Sequence, residues 1–337
     1  MEKMDRICVI SGVAGMTGSM TARKLLAGNI DVVGFDNFFC GSRKVVSELS
    51  QMPGFHFFEY DINDSRQMDA LFDWIANKYP NAEKWFVNCA AVVHTKHFYH
   101  PYDTFETNVV AMKDSLERSI GAGCTRYINC SSSEVYSMQS WMEGGVREDS
   151  PVLIATAGQS LRTSYATGKL MTEFFMRDAT ERGRILGCSM RFANVYSPEE
   201  RFADHIIPHI IDSLQRTGGV TLLENARETR RTFLNNGDSC DAVLALLREP
   251  SALDGGIYNV GTTEEIRIVD LVAEIASLMG VSAPRIDFSG VRTADPPRRL
   301  LCVDKIRTRA GWQSRVPLEE GLKACIANRL ARKGEEA

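Results

Sequence analysis

The sequence predicts an α/β protein: a doubly wound parallel sheet with a smaller C-terminal α/β part. Three observations carry this. Short apolar runs without polar alternation recur through the first half, as strands buried on both faces of a parallel sheet do. Stretches of helical spacing separate them. A glycine-rich turn joins the first run to the first helical stretch, the place where such sheets bind ligands.

The first strand is Ile7-Cys8-Val9-Ile10. The turn Gly12-Val13-Ala14-Gly15-Met16-Thr17-Gly18 follows, then a helix through Leu26 that stops at Gly28-Asn29. Glycines let backbone amides approach a pyrophosphate, and a helix N-terminus favours its charge. A second strand, Asp31 to Phe35, ends at Asp36, near the spacing expected of a ribose-binding carboxylate. That acid repels a 2′-phosphate, which favours NAD over NADP. The alternative is a glycine turn that merely closes a βα unit.

The alternation continues with strands at Phe55–Tyr60, Trp85–Ala91 and Tyr127–Ser131. Helices are expected at Ser65–Tyr79, Asp103–Ile120 and Tyr165–Arg182. Met68, Leu71, Phe72 and Ile75 mark one face of the first of these. Ligands then belong at the carboxyl ends of the strands.

Two stretches carry candidate chemistry. Tyr165 and Lys169 are spaced to share one helix face, so the ammonium can approach the phenol. A free tyrosine has a pKa of about 10, and a neighbouring cation lowers it. The pair then suits proton acceptance from an alcohol that loses a hydride; the plainer reading is a core aromatic and a solvated charge. The second stretch, Ser131-Ser132-Ser133-Glu134-Val135-Tyr136, ends the fifth strand. Its hydroxyls can donate to a substrate oxygen, and Glu134 can act as general acid or base.

Composition bounds the class. Of 337 residues, 44% are hydrophobic and 24% charged, as in an ordinary globular protein. A net charge of −4 argues against nucleic acid or an acidic membrane as the main partner. Nine cysteines without a C-x-x-C pair, several of them (Cys8, Cys89, Cys130, Cys188) in apolar runs, suggest reduced thiols in a cytoplasmic protein and no metal. Met1 to Arg6 run straight into a strand, so no signal peptide is expected, nor a membrane span.

Together these motifs resemble the extended short-chain dehydrogenase/reductase family, a Rossmann-fold family, and within it the nucleotide-sugar epimerases, dehydratases and decarboxylases. The resemblance rests on Gly12-x-x-Gly15-x-x-Gly18, Asp36, Asp61-Ile62, Asn88-Cys89-Ala90-Ala91, Asn108, Ser131 to Tyr136 and Tyr165-x-x-x-Lys169. It continues through Arg191 to Pro198, Arg230 to Phe233 with Asp238, Tyr258 to Gly261, Arg292, Asp295 to Arg299, and Gly311 to Leu322. It implies that Tyr165 is the catalytic base and that Lys169 holds the nicotinamide ribose and lowers the tyrosine pKa. Ser132 and Ser133 join them with Glu134. NAD contacts fall to Gly12, Gly15, Met16, Thr17, Gly18, Asp36, Asn37, Asp61, Ile62, Ala90, Ala91 and Asn108, with Tyr165 and Lys169.

Substrate contacts fall to Asn194, Arg231 and Arg292, since arginine's fork suits phosphate oxygens. Arg298 and Arg299 are expected to make structural contacts. His94, Lys96 and His97 either bind an anionic sugar or are solvated; His94 is the substrate-binding candidate. Ser137 stands where the family has glycine, so a local change of turn is expected. The long stretch Met138 to Arg162, with Trp141, reads as a lid over the site. Arg329 to Ala337 are expected to fray.

The implied division is residues 1–190 with about 234–262 for NAD, and 191–233 with 263–330 for the nucleotide sugar. The implied reaction begins by oxidising the sugar at C4. Ser132-Ser133-Glu134 is similar to the corresponding stretch of UDP-glucuronate decarboxylases and some 4,6-dehydratases, while Thr167 departs from their usual acid. A simple 4-epimerase is the alternative, and a non-catalytic NAD-sensing regulator or scaffold is an alternative of another class. A homodimer through the helices at Asp103–Ile120 and Tyr165–Arg182 is expected, using Val109, Val110, Met112, Met171 and Phe175.

Overall fold

The computed structural model describes residues 6–139 and 143–336. Strand β1 (Arg6–Ser11) leads through the glycine turn into α1 (Met16–Ala27). Then follow β2 (Asp31–Phe35), α2 (Arg43–Leu49), β3 (Phe55–Phe58), α3 (Ser65–Lys78) and β4 (Glu83–Asn88). The next helix is continuous but irregular: α4 (Pro101–Phe105), a π-turn (Glu106–Val110), then α5 (Ala111–Gly121). After β5 (Cys124–Ser132) and a 3₁₀ turn (Ser133–Tyr136), the chain reaches α6 (Thr163–Glu181) and β6 (Leu186–Phe192).

These strands form the expected parallel sheet, in the order β3-β2-β1-β4-β5-β6, with β10 (Asp254–Val260) beyond β6. Each pairing in it is parallel. Both faces are covered, which explains the missing polar alternation. Within β1, Cys8 and Ile10 point into one core with Leu25 and Leu244, while Ile7 and Val9 point into the other with Leu71 and Met112. The winding reverses between β1 and β4, so a crevice opens at their carboxyl ends.

The rest of the chain builds a second layer system. It contains β7 (Asn194–Tyr196), α7 (Ile206–Thr217), β8 (Gly219–Leu222), β9 (Arg230–Asn235) and α8 (Asn236–Arg248), the last packing on α1. Beyond β10 come β11 (Glu265–Arg267), α9 (Ile268–Leu278), β12 (Arg285–Phe288), β13 (Arg298–Arg299), α10 (Asp304–Ala310) and α11 (Leu318–Glu336). Strands β7, β9, β11 and β13 form one small sheet, and β8 pairs β12. Helices α7, α9 and α11 share the core of Ile210, Leu271 and Leu322.

Several sequence expectations are corrected. Strands β3 and β4 end earlier than expected, releasing Glu59–Tyr60 and Cys89–Ala91 into the crevice loops. Residues 329–336 continue α11, where Arg329 pairs with Asp212 and Arg332 donates to the Pro198 carbonyl at 3.0 Å; Ala337 lies outside the described residues. In the stretch from Met138 to Arg162, the described residues 143–162 form a strap pinned at Val146. Val146 donates to the Leu300 carbonyl at 2.8 Å, accepts from Cys302 at 2.9 Å, and sits with Tyr136 and Leu301 in a small core. Trp141 lies outside the described residues. Of the apolar residues expected at a dimer face, Val109 and Met112 belong to the core, and Met171 is exposed. No helix among the described residues is long and apolar enough to cross a membrane.

Candidate active site

The carboxyl ends of β1, β4 and β5 face the second layer system across a cavity of about 690 Å³. On its dinucleotide side the glycines are sterically required. Gly12 has φ +67°, and a Cβ there would lie 2.8 Å from the Ala90 amide nitrogen. A Cβ on Gly18 would collide with the Gly12 carbonyl oxygen. The turn can therefore cross β4 and enter α1 only as glycine, leaving Gly15, Met16 and Thr17 to start the helix. Ser11 Oγ accepts from the Ala90 amide at 3.1 Å and donates to Asn88 at 2.7 Å, tying the loop through Ala91 to β1.

Asp36 is buried at the end of β2 and accepts from the Ala14 and Phe38 amides at 3.0 and 2.7 Å. Burial pushes its carboxyl up, and those two bonds oppose the shift. Asn37 donates to Asp61 at 3.0 Å, which brings the ends of β2 and β3 together beside buried Ile62. Asn108 sits in the π-turn, and its amide both accepts from and donates to Val92, at 2.7 and 3.2 Å. It fixes the loop after β4 rather than offering free groups. The cradle closed to side chains and the carboxylate at the strand end fit a dinucleotide.

At the centre, Tyr165 is buried and hydrogen-bonded with Ser132. Burial raises the phenol's pKa; the Ser132 bond lowers it, the Glu134 carboxylate raises it, and the Arg162 guanidinium lowers it. The Lys169 ammonium donates to the Cys130 carbonyl at 2.8 Å, and burial pushes its own pKa down. The Arg162 guanidinium is a further cation acting on the phenol, beside the Lys169 expected from the spacing.

The serine run divides its duties. Ser131 Oγ donates to Glu173 at 2.7 Å, inside a buried Glu173–Arg191 pair, also at 2.7 Å. Ser132 Oγ accepts from the Glu134 amide at 3.1 Å and so caps the 3₁₀ turn. Ser133 is buried in that turn and does not line the cavity, so it is not brought to the site.

Glu134 lies between two guanidiniums, with Arg299 at 2.5 Å and Arg162 at 3.0 Å. Burial works to raise its pKa, but Arg299 and Arg162 outweigh it and hold the carboxyl at about 2. At neutral pH this group therefore rests as a carboxylate. Arg299 was expected to be structural, and it is in fact the residue that fixes Glu134. In β13 neighbouring side chains point opposite ways, so Arg298 reaches Glu265 at 2.7 Å while Arg299 turns inward. Ser137 takes φ +47°, a conformation that favours glycine. Its carbonyl accepts from Arg299 at 3.3 Å, so the change of residue at this turn bears on the glutamate clamp.

On the substrate side, Asn194, Arg231 and Arg292 all line the cavity. Asn194 donates to the Thr232 carbonyl at 3.0 Å. Asp295 pairs with Arg231 at 2.7 Å and with Arg292 at 3.8 Å. Four guanidiniums (Arg162, Arg231, Arg292, Arg299) thus share two carboxylates, which leaves a surplus of positive charge. His94 is placed elsewhere, in a smaller cavity of about 170 Å³ beside the glycine turn. Its ring stacks on Phe202 with centroids 3.7 Å apart, and burial pushes its pKa down to about 4. It presents an aromatic surface beside the glycine turn. Lys96 sits over the same Phe202 ring, and His97 packs against Phe39.

Residues 8–261 match the family described as the NAD dependent epimerase/dehydratase family. The mouse protein "dTDP-D-glucose 4,6-dehydratase" is 26% identical over 330 residues, covering 94% of this chain and 87% of that protein. "UDP-glucuronic acid decarboxylase 1" of Arabidopsis thaliana is 25% identical over 325 residues, covering 95% of this chain and 69% of that protein. Among solved structures, a dTDP-glucose 4,6-dehydratase from Streptomyces venezuelae superposes with a TM-score of 0.85 at 22% identity, covering 98% of each chain. A UDP-glucose 4-epimerase from Thermotoga maritima does so at 0.83 and 21%, covering 97% of this chain and 99% of that one. At these identities the structural likeness shows the fold.

Proposed function

Because the chain belongs to the NAD dependent epimerase/dehydratase family, we propose that it modifies a nucleoside-diphosphate sugar through transient oxidation at C4. The observation that carries this reading is one cavity lined by the glycine-turn helix, Tyr165 with Ser132, the Glu134 carboxylate, and Arg231 with Arg292. When bound, NAD supplies the hydride acceptor and returns the hydride later. Gly12 to Gly18 would hold its diphosphate, Asp36 an adenosine ribose, and Lys169 the nicotinamide ribose. Tyr165 takes the proton of the C4 hydroxyl, with Ser132 fixing that oxygen. The surplus positive charge at Arg231 and Arg292 suits the substrate's diphosphate.

After oxidation, a ketone at C4 makes C5 acidic and makes a carboxyl at C6 easy to lose. Elimination of water would need a proton donor for the departing hydroxyl, yet Glu134 and Asp295 are both ion-paired carboxylates. Carbon dioxide leaves without a proton: the C5–C6 bond breaks, its electron pair forms the C4–C5 enolate, and C5 then takes a proton from a water that the Glu134 carboxylate would hold. The clamp on Glu134 therefore favours decarboxylation of a nucleotide uronate, with 4,6-dehydration second and simple 4-epimerisation third. Mass spectrometry of products from UDP-, dTDP-, GDP- and CDP-linked hexoses and uronates tests this. Turnover of none of them would overturn the reading.

Residues 1–190 with about 234–262 are assigned to NAD and 191–233 with 263–330 to the sugar nucleotide, a division supported by the way β10 closes the large sheet. A reducing, cytoplasmic setting is supported by nine cysteines that are all free thiols.

NAD rather than NADP is expected in the purified protein, because a 2′-phosphate would meet the Asp36 carboxylate. Chromatography of the nucleotide released on denaturation checks this, and recovery of NADP would reject it. A homodimer is also expected. Tyr102, Phe105, Met171 and Phe174 on α4 and α6 are 85%, 55%, 45% and 62% exposed, a contiguous apolar face that a monomer leaves in water. Light scattering at micromolar concentration should give twice the chain mass; the mass of one chain would exclude the dimer.

A further inference from the structure

We propose that Phe98 is a positioning residue for Tyr165: its ring fixes the plane of the phenol and keeps water from it. The inference rests on Tyr165 being the proton acceptor. Phe98 lies in the 3₁₀ turn Thr95–Tyr99, in the loop that follows β4, and is buried. Its ring stacks on that of Tyr165 with centroids 3.9 Å apart and planes 14° from parallel. The Arg162 guanidinium carbon lies 5.4 Å from the same ring. Phe98 therefore touches both the phenol and the cation that acts on it.

The loop holding Phe98 is fixed at two points. Asn108 binds Val92 near its start, and Ser164 Oγ donates to the Phe98 carbonyl at 3.0 Å. Ser164 is the residue before Tyr165 on α6. The backbone of Phe98 is thus tied to the same helical turn that carries the phenol, so ring and phenol keep one spacing. With its plane set, the Tyr165 hydroxyl stays directed to Ser132. A stacked ring also occupies the face by which water would otherwise reach the phenol.

Three measurements separate this role from ordinary core packing. Phe98→Leu retains most of the buried volume but not the flat surface, so kcat should fall about tenfold with KM within about twofold, as expected when a reacting group is misdirected. The NAD content of the purified variant should equal that of the wild type. Phe98→Ala opens the phenol to water. Burial raises the phenol's pKa, so its ionisation, read as tyrosinate absorbance against a Tyr165→Phe reference, should move to lower pH. A purely structural role would lower thermal stability and leave the titration and the kcat profile in place; that result, or unchanged kcat in Phe98→Leu, overturns the proposal. Tyr165→Phe also isolates the underlying reading. If it retains full turnover, the base assignment has failed, while the tyrosinate titration still decides whether Phe98 sets the phenol.

Discussion

Tyr165→Phe is expected to lower turnover by at least about two orders of magnitude, the usual scale for losing a general base. The substitution keeps the ring that Phe98 stacks on and removes only the hydroxyl shared with Ser132. Because the cofactor cradle is built elsewhere, by the glycine turn and Asp36, bound NAD should stay at the wild-type level. Thermal stability should change little, since one partly satisfied hydroxyl contributes about 1 kcal/mol. Steady-state rates with the substrate found in the product screen, and NAD content by absorbance, check both halves. Retained turnover would point to a different base.

Glu134→Gln should have the second large effect, and it acts on both stability and chemistry. The carboxylate neutralises two buried guanidiniums, and removing one partner of such a group costs about 3–5 kcal/mol. The lowered pKa gives a similar size: about 2 against an ordinary 4.5 corresponds to about 3 kcal/mol. Its sign fixes the pH window. A depressed carboxyl pKa contributes stability that is fully present above pH 4.5 and is lost as pH falls towards 2. The stability gap between wild type and Glu134→Gln in denaturant titrations should therefore be widest near neutrality and narrow through that window. A gap independent of pH would show that the ion pairs contribute nothing.

The chemical half of the same variant separates the reactions. If the enzyme works beyond C4, the first oxidation survives and the later step stalls, so reduced-nicotinamide absorbance should build up on mixing with substrate. A simple 4-epimerase would turn over near-normally without build-up. Normal product formation by Glu134→Gln would reject decarboxylation and dehydration together. Loss of bound NAD would instead make Glu134 structural, and the stability titration would show it.

The fold was largely legible because its signals are local. Runs such as Ile7 to Ile10 are apolar on both faces, and the turn from Gly12 to Gly18 has glycines wherever a Cβ would strike Ala90 or Gly12 itself. Tyr165 and Lys169 could be placed on one helix from spacing alone. What escaped is what depends on contacts between distant segments. Arg299 reads as one basic residue beside another until β13 pairs with β9 and turns it towards Glu134. Phe98 carries no signal in the sequence, and its role emerges only where its loop docks on α6. His94 reads as one of three basic groups until Phe202 is seen to stack on it.

The Glu134–Arg299 pair also carries a consequence for how the chain is made. Its partners are 165 residues apart in sequence. The entropy of closing so long a loop rises only slowly with its length, but the contact cannot exist until β13 has been synthesised. A nascent chain can pair β1, β2, β3 and β4 long before then, with Glu134 present and its inner arginine still missing. The site consequently acquires its charge balance late in synthesis, and Val146 can bond to Leu300 and Cys302 only in that same late step. Chains interrupted before Asp295 would retain most of the parallel sheet, yet carry a carboxylate at the end of β5 with half its clamp and a strap with nothing to pin it.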